Sequence, residues 1–398
     1  MLSKINCISS VIIVLFLTVS CPSLEAAKPE PPASTLSSCY ILFDAGSSGT
    51  RLFIYEKEGA NWRGHDGPKV TALADPIREI RGKNHTDIDA VSTEVVSTLD
   101  AIKQDGPLKK GKPEWTAFNW TSHCHVVSAN VYATAGMRIA EQKNRTKSIE
   151  LWHTLKQKLQ AKVGESVTIN TRTITGYEEG LYAWLAIREL KKNNHFGVVV
   201  MGGASSQVTF PCSTCNSDDD AVKLVRVKGS PLQMYSYSFL GLGLDEAPGA
   251  LGVPDSCRYG AGTTHANWKK SDCADQIVIS DLRGIRDPYN FNGSQQGIYR
   301  QLPVSRADVT EWYLTEKFND ISNNQIDTCC VHKGPCKDKA NACFQAVYIE
   351  KYLETLPIST MSEKVDVSWT LGAVICTADN CLPTTKKSMC AWLDKGCL

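Results

Sequence analysis

The sequence predicts an α/β protein whose two similar halves face each other across a cleft. Apolar strand-like runs alternate with segments of helical spacing, which favours sheets covered by helices. A strand, a Gly/Ser-rich loop and a returning strand occur in that order twice. With 42% hydrophobic and 21% charged residues in 398, the chain also carries enough apolar surface for a sizeable core.

In chain order, Lys4 precedes an apolar run over residues 11–19, followed by polar and small residues that end at Ala26 and Ala27, the pattern of a signal peptide over 1–27. That run is short for a bilayer, and no other stretch reaches the roughly 20 apolar residues a span needs, so the mature chain is expected to have none. Residues 28–37, rich in Pro, Ala and Ser, read as a leader. The first half, 38–172, opens with a strand over 39–43, a Gly/Ser turn over 44–50 and a strand over 52–55. Helical spacing follows over 88–103 and 149–161, with a strand over 125–132 between them. The second half, 173–374, begins with an apolar helix over 181–190 and repeats the opening device: strand 196–200, turn 201–206, strand 207–210. Segments 307–320 and 340–353 read as helices, and residues 375–398 are expected to return to the first half.

Sixteen cysteines include Cys7 and Cys21 in the signal region, leaving an even set of fourteen that predicts disulfides and an extracellular or secretory-lumen location. Cys212 and Cys215 form a CxxC without a second CxxC or a His pair at zinc spacing, so a plain disulfide is the better reading. Sequons at Asn84, Asn119, Asn144 and Asn292 point to the same compartment. The 43 Lys and Arg balance 42 Asp and Glu, which argues against a nucleic-acid partner or a basic membrane patch.

Chemistry is concentrated in three places. The loop Asp44-Ala45-Gly46-Ser47-Ser48-Gly49-Thr50-Arg51 offers backbone N–H groups and the hydroxyls of Ser47, Ser48 and Thr50 to phosphate oxygens, and Asp44 can hold a hydrated cation. The loop Met201-Gly202-Gly203-Ala204-Ser205-Ser206-Gln207 offers the same from the other half. Either loop alone is equally well a tight turn between strands; their pairing points to phosphate. Between them, Glu178 and Glu179 begin a helix, where a carboxylate can serve as general base to a water or simply complement the helix dipole.

With these motifs in hand, the sequence resembles the apyrases, or nucleoside triphosphate diphosphohydrolases. Five signature regions occur in the family's order: Asp44 to Arg51, Ala133 to Arg138, Gly176 to Trp184, Met201 to Gln207, and Ser368 to Gly372. The segment Tyr235 to Gly243 resembles the one that follows the fourth region, and the first region is closer to soluble, secreted branches than to membrane-anchored ones. The resemblance implies two RNase H-like, actin-like lobes with a nucleotide cleft between them, and nucleoside di- or triphosphates as substrates. It implies Glu179 as catalytic base, with Ser205 and Gln207 orienting the attacking water. It places Ser47, Ser48, Gly49, Thr50, Thr134, Arg138, Gly203, Ala204 and Ser205 around the phosphates, and assigns Asp44 to Ca2+ or Mg2+ through water.

The match breaks at Val200, where the family carries a second metal-supporting aspartate, and at Ala183 and Arg188-Glu189 in the third region. Loss of such an outer support typically costs about 10- to 100-fold in metal affinity or activity. Two expectations follow: a nucleotidase, or a secreted nucleotide-binding protein with impaired turnover.

Overall fold

The computed structural model describes residues 36–79, 87–258, 268–279, 287, 302–320, 330, 341–358 and 363–382. The signal region, the sequons at Asn84 and Asn292, and residues 383–398 lie outside the described residues. Two mixed sheets dominate. The first contains β1 (Ser37–Gly46), β2 (Gly49–Glu58), β3 (Asn61–Val70), β4 (Cys124–Ala133) and β5 (Thr168–Thr173) in the order β3-β2-β1-β4-β5. Helix α1 (Ile88–Ala101) lies between β3 and β4 in the chain, and α2 (Ala135–Lys143) and α3 (Arg145–Val163) connect β4 to β5.

Helix α4 (Gly176–Lys191) leads from β5 into the second sheet. That sheet contains β6 (Phe196–Met201), β7 (Ser205–Pro211), β8 (Val222–Val227), β9 (Ser230–Leu240), β10 (Glu311–Glu316) and β11 (Glu363–Val365), ordered β8-β9-β7-β6-β10-β11. Helix α5 (Ala342–Thr355) precedes β11 and α6 (Trp369–Asp379) follows it. Apart from the added edge strand β8, the second sheet repeats the first: an antiparallel hairpin (β6–β7) stands where β1–β2 stand, and two parallel strands extend the other side. The duplicated device in the sequence is thus a duplicated topology.

Strand alternation divides the apolar residues among three cores. Along β1, Cys39, Ile41 and Phe43 face a cluster with Val95, Leu99 and Leu155 of α1 and α3, while Tyr40 and Leu42 face a second cluster. Along β6, Val199 and Met201 face a cluster with Phe344 and Tyr348 of α5, while Phe196, Val198 and Val200 join Tyr40 and Leu42. The shared cluster also takes Leu181 and Trp184 of α4 and Ala373 and Val374 of α6, so these two helices lie between the sheets. They pack closely because residue 372 is glycine: a Cβ there would collide with the Tyr182 carbonyl. The Tyr55 hydroxyl of β2 and Thr370 Oγ1 of α6 share a 2.7 Å hydrogen bond that ties this layer to the first sheet.

Five disulfides occur among the described residues: Cys39–Cys124, Cys212–Cys215, Cys257–Cys273, Cys330–Cys343 and Cys376–Cys381. The CxxC is therefore a disulfide, as its sequence context suggests. Cys39–Cys124 joins the starts of parallel neighbours β1 and β4 across a separation of 85 residues. Closing so long a loop constrains the unfolded chain by about 4–5 kcal/mol in the loop-entropy description.

One expected helix is corrected. Residues 311–316 form strand β10, and only Lys317–Asp320 are helical. Trp312 and Leu314 enter the α5-side cluster and Tyr313 the shared one. With parallel partners on both edges and apolar cover on both faces, β10 shows no polar alternation that would mark it as a strand.

Candidate active site

The β1–β2 turn and the β6–β7 turn open onto one cavity of about 530 Å³. Its wall includes Asp44, Ser47, Ser48, Gly49, Thr134, Glu179, Gly203, Ala204 and Ser205. The sequence thus identified both loops, the second signature region and the helix-start carboxylate that meet here. It did not identify Lys69, Glu316, Lys317, Asn319 or Asp366, which complete the wall. Lys69 and Asp366 close strands or follow them, and no motif marks their spacing.

Three expected site residues, Thr50, Arg138 and Gln207, lie behind the wall. Thr50 is fully buried and its hydroxyl donates to the Thr71 carbonyl at 2.8 Å, fixing the chain after β3. Trp369 lines the cavity but is 2% exposed and stacked on Tyr182. Arg138 and Gln207 are each 0% exposed. Arg138 was expected beside the phosphates; its guanidinium is instead consumed by protein groups. Nη2 donates to Glu179 Oε2 at 2.7 Å and to Ser205 Oγ at 3.1 Å, and Nη1 donates to Ser238 Oγ at 3.2 Å and to Asp287 Oδ2 at 2.5 Å. Gln207 Nε2 donates to the same two hydroxyls, Ser205 at 2.7 Å and Ser238 at 3.1 Å.

This network fixes the Ser205 hydroxyl in direction. Having accepted from Arg138 and Gln207, it retains one proton to donate, and it lies on the cavity wall. Beside it stands Glu179, an acceptor held by the same guanidinium. A donor and an acceptor side by side form a seat for one water molecule.

The two adjacent glutamates, of which the family resemblance singles out Glu179, have different surroundings. Glu178 completes a capping box with Thr175: Thr175 Oγ1 accepts from the Glu178 N–H, and Glu178 Oε2 accepts from the Thr175 N–H at 2.8 Å. Arg172 then grips it with two hydrogen bonds of 3.0 and 2.6 Å. Burial pushes the Glu178 carboxyl up, but the Arg172 guanidinium and the Thr175 donors outweigh it and hold the pKa below the usual value. Glu179, one residue on, faces the cavity. Burial raises its pKa to about 7, more than Arg138 lowers it, and the Asp287 carboxylate adds to the rise.

Asp44 stands at the C-terminal end of β1 on the face of Tyr40 and Leu42. Burial and the Glu179 carboxylate raise its pKa to about 7 against the opposing pull of Arg51 and Lys69. Its Oδ1 is buried with no hydrogen-bond partner among the described residues. An orphaned buried oxygen facing a phosphate-sized cavity fits a hydrated divalent cation. No group of three or more His, Cys, Asp and Glu that could hold a metal directly occurs among the described residues. Val200, one residue before the end of β6, lies on the corresponding inner face, fully buried in the shared apolar cluster and off the cavity wall.

Residues 117–257 match the GDA1/CD39 (nucleoside phosphatase) family, which relates the chain to the apyrase-type enzymes at low sequence identity. Among relatives, ectonucleoside triphosphate diphosphohydrolase 1 of Mus musculus is 27% identical over 237 residues, covering 52% of this chain and 41% of that protein. Ectonucleoside triphosphate diphosphohydrolase 5 of Mesocricetus auratus is 26% identical over 308 residues, covering 71% and 56%. The chain thus spans about half the length of the curated relatives it matches. Its fold is shared with a nucleoside triphosphate hydrolase structure from Neospora caninum, with a TM-score of 0.52, 13% identity, and coverage of 90% of this chain and 95% of that one.

Glu179→Gln keeps the shape of the site and removes a carboxylate able to act as general base, so if Glu179 is that base turnover is expected to fall about 10²- to 10⁴-fold with nucleotide binding retained. Glu178→Gln should reduce stability more than turnover. Because Glu179 must be ionised to accept a proton, the rate of the parent should rise with pH through about 7. The sign is opposite for stability: a carboxyl whose pKa is raised on folding stabilises most below its ordinary 4.5 and loses that contribution as pH climbs to about 7. Phosphate-release assays and thermal melts across pH 4–8 read both; a pH-independent rate over that range contradicts the assignment.

Proposed function

We propose that the protein hydrolyses the terminal phosphate of nucleoside tri- and/or diphosphates by attack of a water activated by Glu179. The observation that carries this reading is a buried carboxylate of pKa about 7 on the cavity wall, beside a hydroxyl that can only donate, between two Gly/Ser turns. The water donates one hydrogen bond to Glu179 and accepts one from Ser205, which aims a lone pair at the phosphorus. As the new P–O bond forms, the water proton passes to Glu179. The bond to the bridging oxygen breaks, and the shorter nucleotide leaves with that oxygen's electron pair. Ser47, Ser48 and the backbone N–H groups of both turns receive the charge on the phosphoryl oxygens.

Asp44 is the residue that would hold Ca2+ or Mg2+ through water, and the cation would supply neutralisation of phosphate charge. The sheets divide into two lobes around the cleft in this reading. Five disulfides support a secreted, extracellular protein. No helix among the described residues is long and apolar enough to cross a membrane.

A second reading, a nucleotide-binding protein with impaired turnover, is favoured by Val200, which leaves Asp44 without a carboxylate at the matching end of β6. Phosphate release from a panel of nucleoside mono-, di- and triphosphates with Ca2+, Mg2+ or EDTA decides between them. Metal-dependent release from di- or triphosphates, with monophosphates inert, is expected. Nucleotide binding without release would establish the second reading.

Val200→Asp tests the metal account separately. The new carboxylate would lie on the inner face, as Asp44 does, so the variant should need about 10- to 100-fold less Ca2+ or Mg2+ for half-maximal activity. In EDTA it should melt lower than the parent, because an unpaired charge enters an apolar cluster, and metal should restore the loss. A folded variant with the parent's metal dependence would contradict the account.

A further inference from the structure

Between α1 and β4 the chain forms a small two-stranded ribbon in which Leu108–Lys109 pairs with Lys112–Pro113. Its two-residue turn, Lys110-Gly111, has φ values of 50° and 81°. Positive φ at both central positions suits Asn, Asp or Gly, so Lys110 stands where a lysine is not the conformational preference. The foot of the ribbon is pinned. Trp115 Nε1 donates to the Gln104 carbonyl at 2.9 Å, the Ala117 N–H donates to Asp105 Oδ1 at 2.7 Å, and the Trp115 ring lies so close over Gly106 that a Cβ there would collide with it. Residues 108–114 are all exposed, and none of them lines the active-site cavity.

The register sorts the side chains. Leu108 lies opposite Pro113 on one face, Lys109 lies opposite Lys112 on the other, and Lys110 is at the tip. Like charges directly opposite each other weaken a ribbon. Elsewhere among the described residues, nine lysines lie within salt-bridge distance of a carboxylate. Lys109, Lys110 and Lys112 have no such partner among the described residues, and Glu114, at the foot of the same strand, pairs with none of them. The near-equality of 43 basic and 42 acidic residues over the whole chain thus hides a local excess of cations on one fixed, exposed tip.

An anion with several charges would join the three lysines and offset their repulsion. An anionic bilayer would gain most if lysines and apolar side chains reached the same plane. Here Leu108 and Pro113 face away from Lys109 and Lys112, so the ribbon cannot press both onto lipid. A linear polyanion needs only the lysine face and the tip. Lysine ammonium groups on flexible stems suit anionic groups whose spacing varies along a chain. The disulfides fit the oxidising space outside the cell, where sulfated polysaccharides are the linear polyanions at hand. We propose that Lys109, Lys110 and Lys112 form a docking site for a sulfated polysaccharide, which would hold the protein at an extracellular surface with its cavity open. The proposal uses the extracellular reading and is independent of the nucleotide one.

The test measures calorimetric binding of a heparin oligosaccharide to the full chain, with vesicles of phosphatidylcholine and phosphatidylserine as the second probe. The variants are a triple Lys109→Gln, Lys110→Gln, Lys112→Gln, the same three positions changed to Arg, and a control triple of paired lysines, Lys158→Gln, Lys228→Gln, Lys351→Gln. The parent should bind heparin in a strongly salt-dependent way. The ribbon glutamine variant should lose about 10- to 100-fold in affinity, the sum of three exposed charge contacts. The arginine variant and the control should stay within about threefold of the parent, and all should share its melting temperature and its rate of phosphate release. A parent that does not bind heparin overturns the proposal, as does a control that loses as much as the ribbon variant, or an arginine variant that falls as far as the glutamine one. Lysine-dependent binding of the vesicles without binding of heparin overturns it in favour of a lipid surface. Ribbon-dependent heparin binding by a protein that releases no phosphate supports the docking site and overturns the nucleotide reading alone.

Discussion

The Arg138 guanidinium is the constraint on which the site depends. It belongs to α2, between β4 and β5 of the first sheet, yet its partners come from α4, from β7 and β9 of the second sheet, and from Asp287. Taking such a charge out of water costs several kcal/mol, and only a nearly complete set of acceptors offsets it. The arrangement is therefore all-or-none: with its four acceptors in place, Arg138 locks Glu179 against Ser205 and ties the two sheets at the cavity floor. Removing any one acceptor leaves buried charge behind, a larger penalty than a single surface bond. Burial then does the chemical tuning. The same dry surroundings that make Arg138 demanding raise Glu179 to a pKa of about 7, where a carboxylate is a useful base near neutral pH.

Much of this was legible in the sequence because it is carried by local patterns. The short apolar run from Cys39 to Phe43, bounded by a Gly/Ser turn, marked β1, and the Gly/Ser composition marked both turns. The helix-start pair Glu178 and Glu179 was visible, and the family resemblance singled out Glu179, but the local pattern alone did not, since adjacent first-turn residues carry the same local signal. Arg172 and Thr175 decide it by occupying Glu178. Strand β10 was hidden for a different reason: Trp312, Tyr313 and Leu314 are all buried, so no polar residue marks a period. Asp287, 149 residues from Arg138, and Lys69, above a loop from another strand pair, owe their places to tertiary packing and leave no mark in their own neighbourhoods.

The duplicated topology explains why Asp44 and Val200 invite comparison. Each lies near the end of the first strand of its hairpin on the inner face, Asp44 after Tyr40 and Leu42, Val200 after Phe196 and Val198. One position keeps a carboxylate with an orphaned oxygen and the other extends the apolar cluster. On the cavity wall Asp44 is joined by the carboxylates of Glu179, Glu316 and Asp366 and by the cations of Arg51, Lys69 and Lys317.

The claim that Arg138 acts through Glu179 is tested most directly by a double-mutant cycle on phosphate release, with Arg138→Met, Glu179→Gln and both together, each checked for folding. If the guanidinium serves to hold the base, the double variant should turn over no more slowly than Glu179→Gln alone, because the second substitution removes nothing further from the chemistry. Losses that multiply, so that the double variant falls by the product of the two single effects, would show that Arg138 acts independently of Glu179 and would contradict the account.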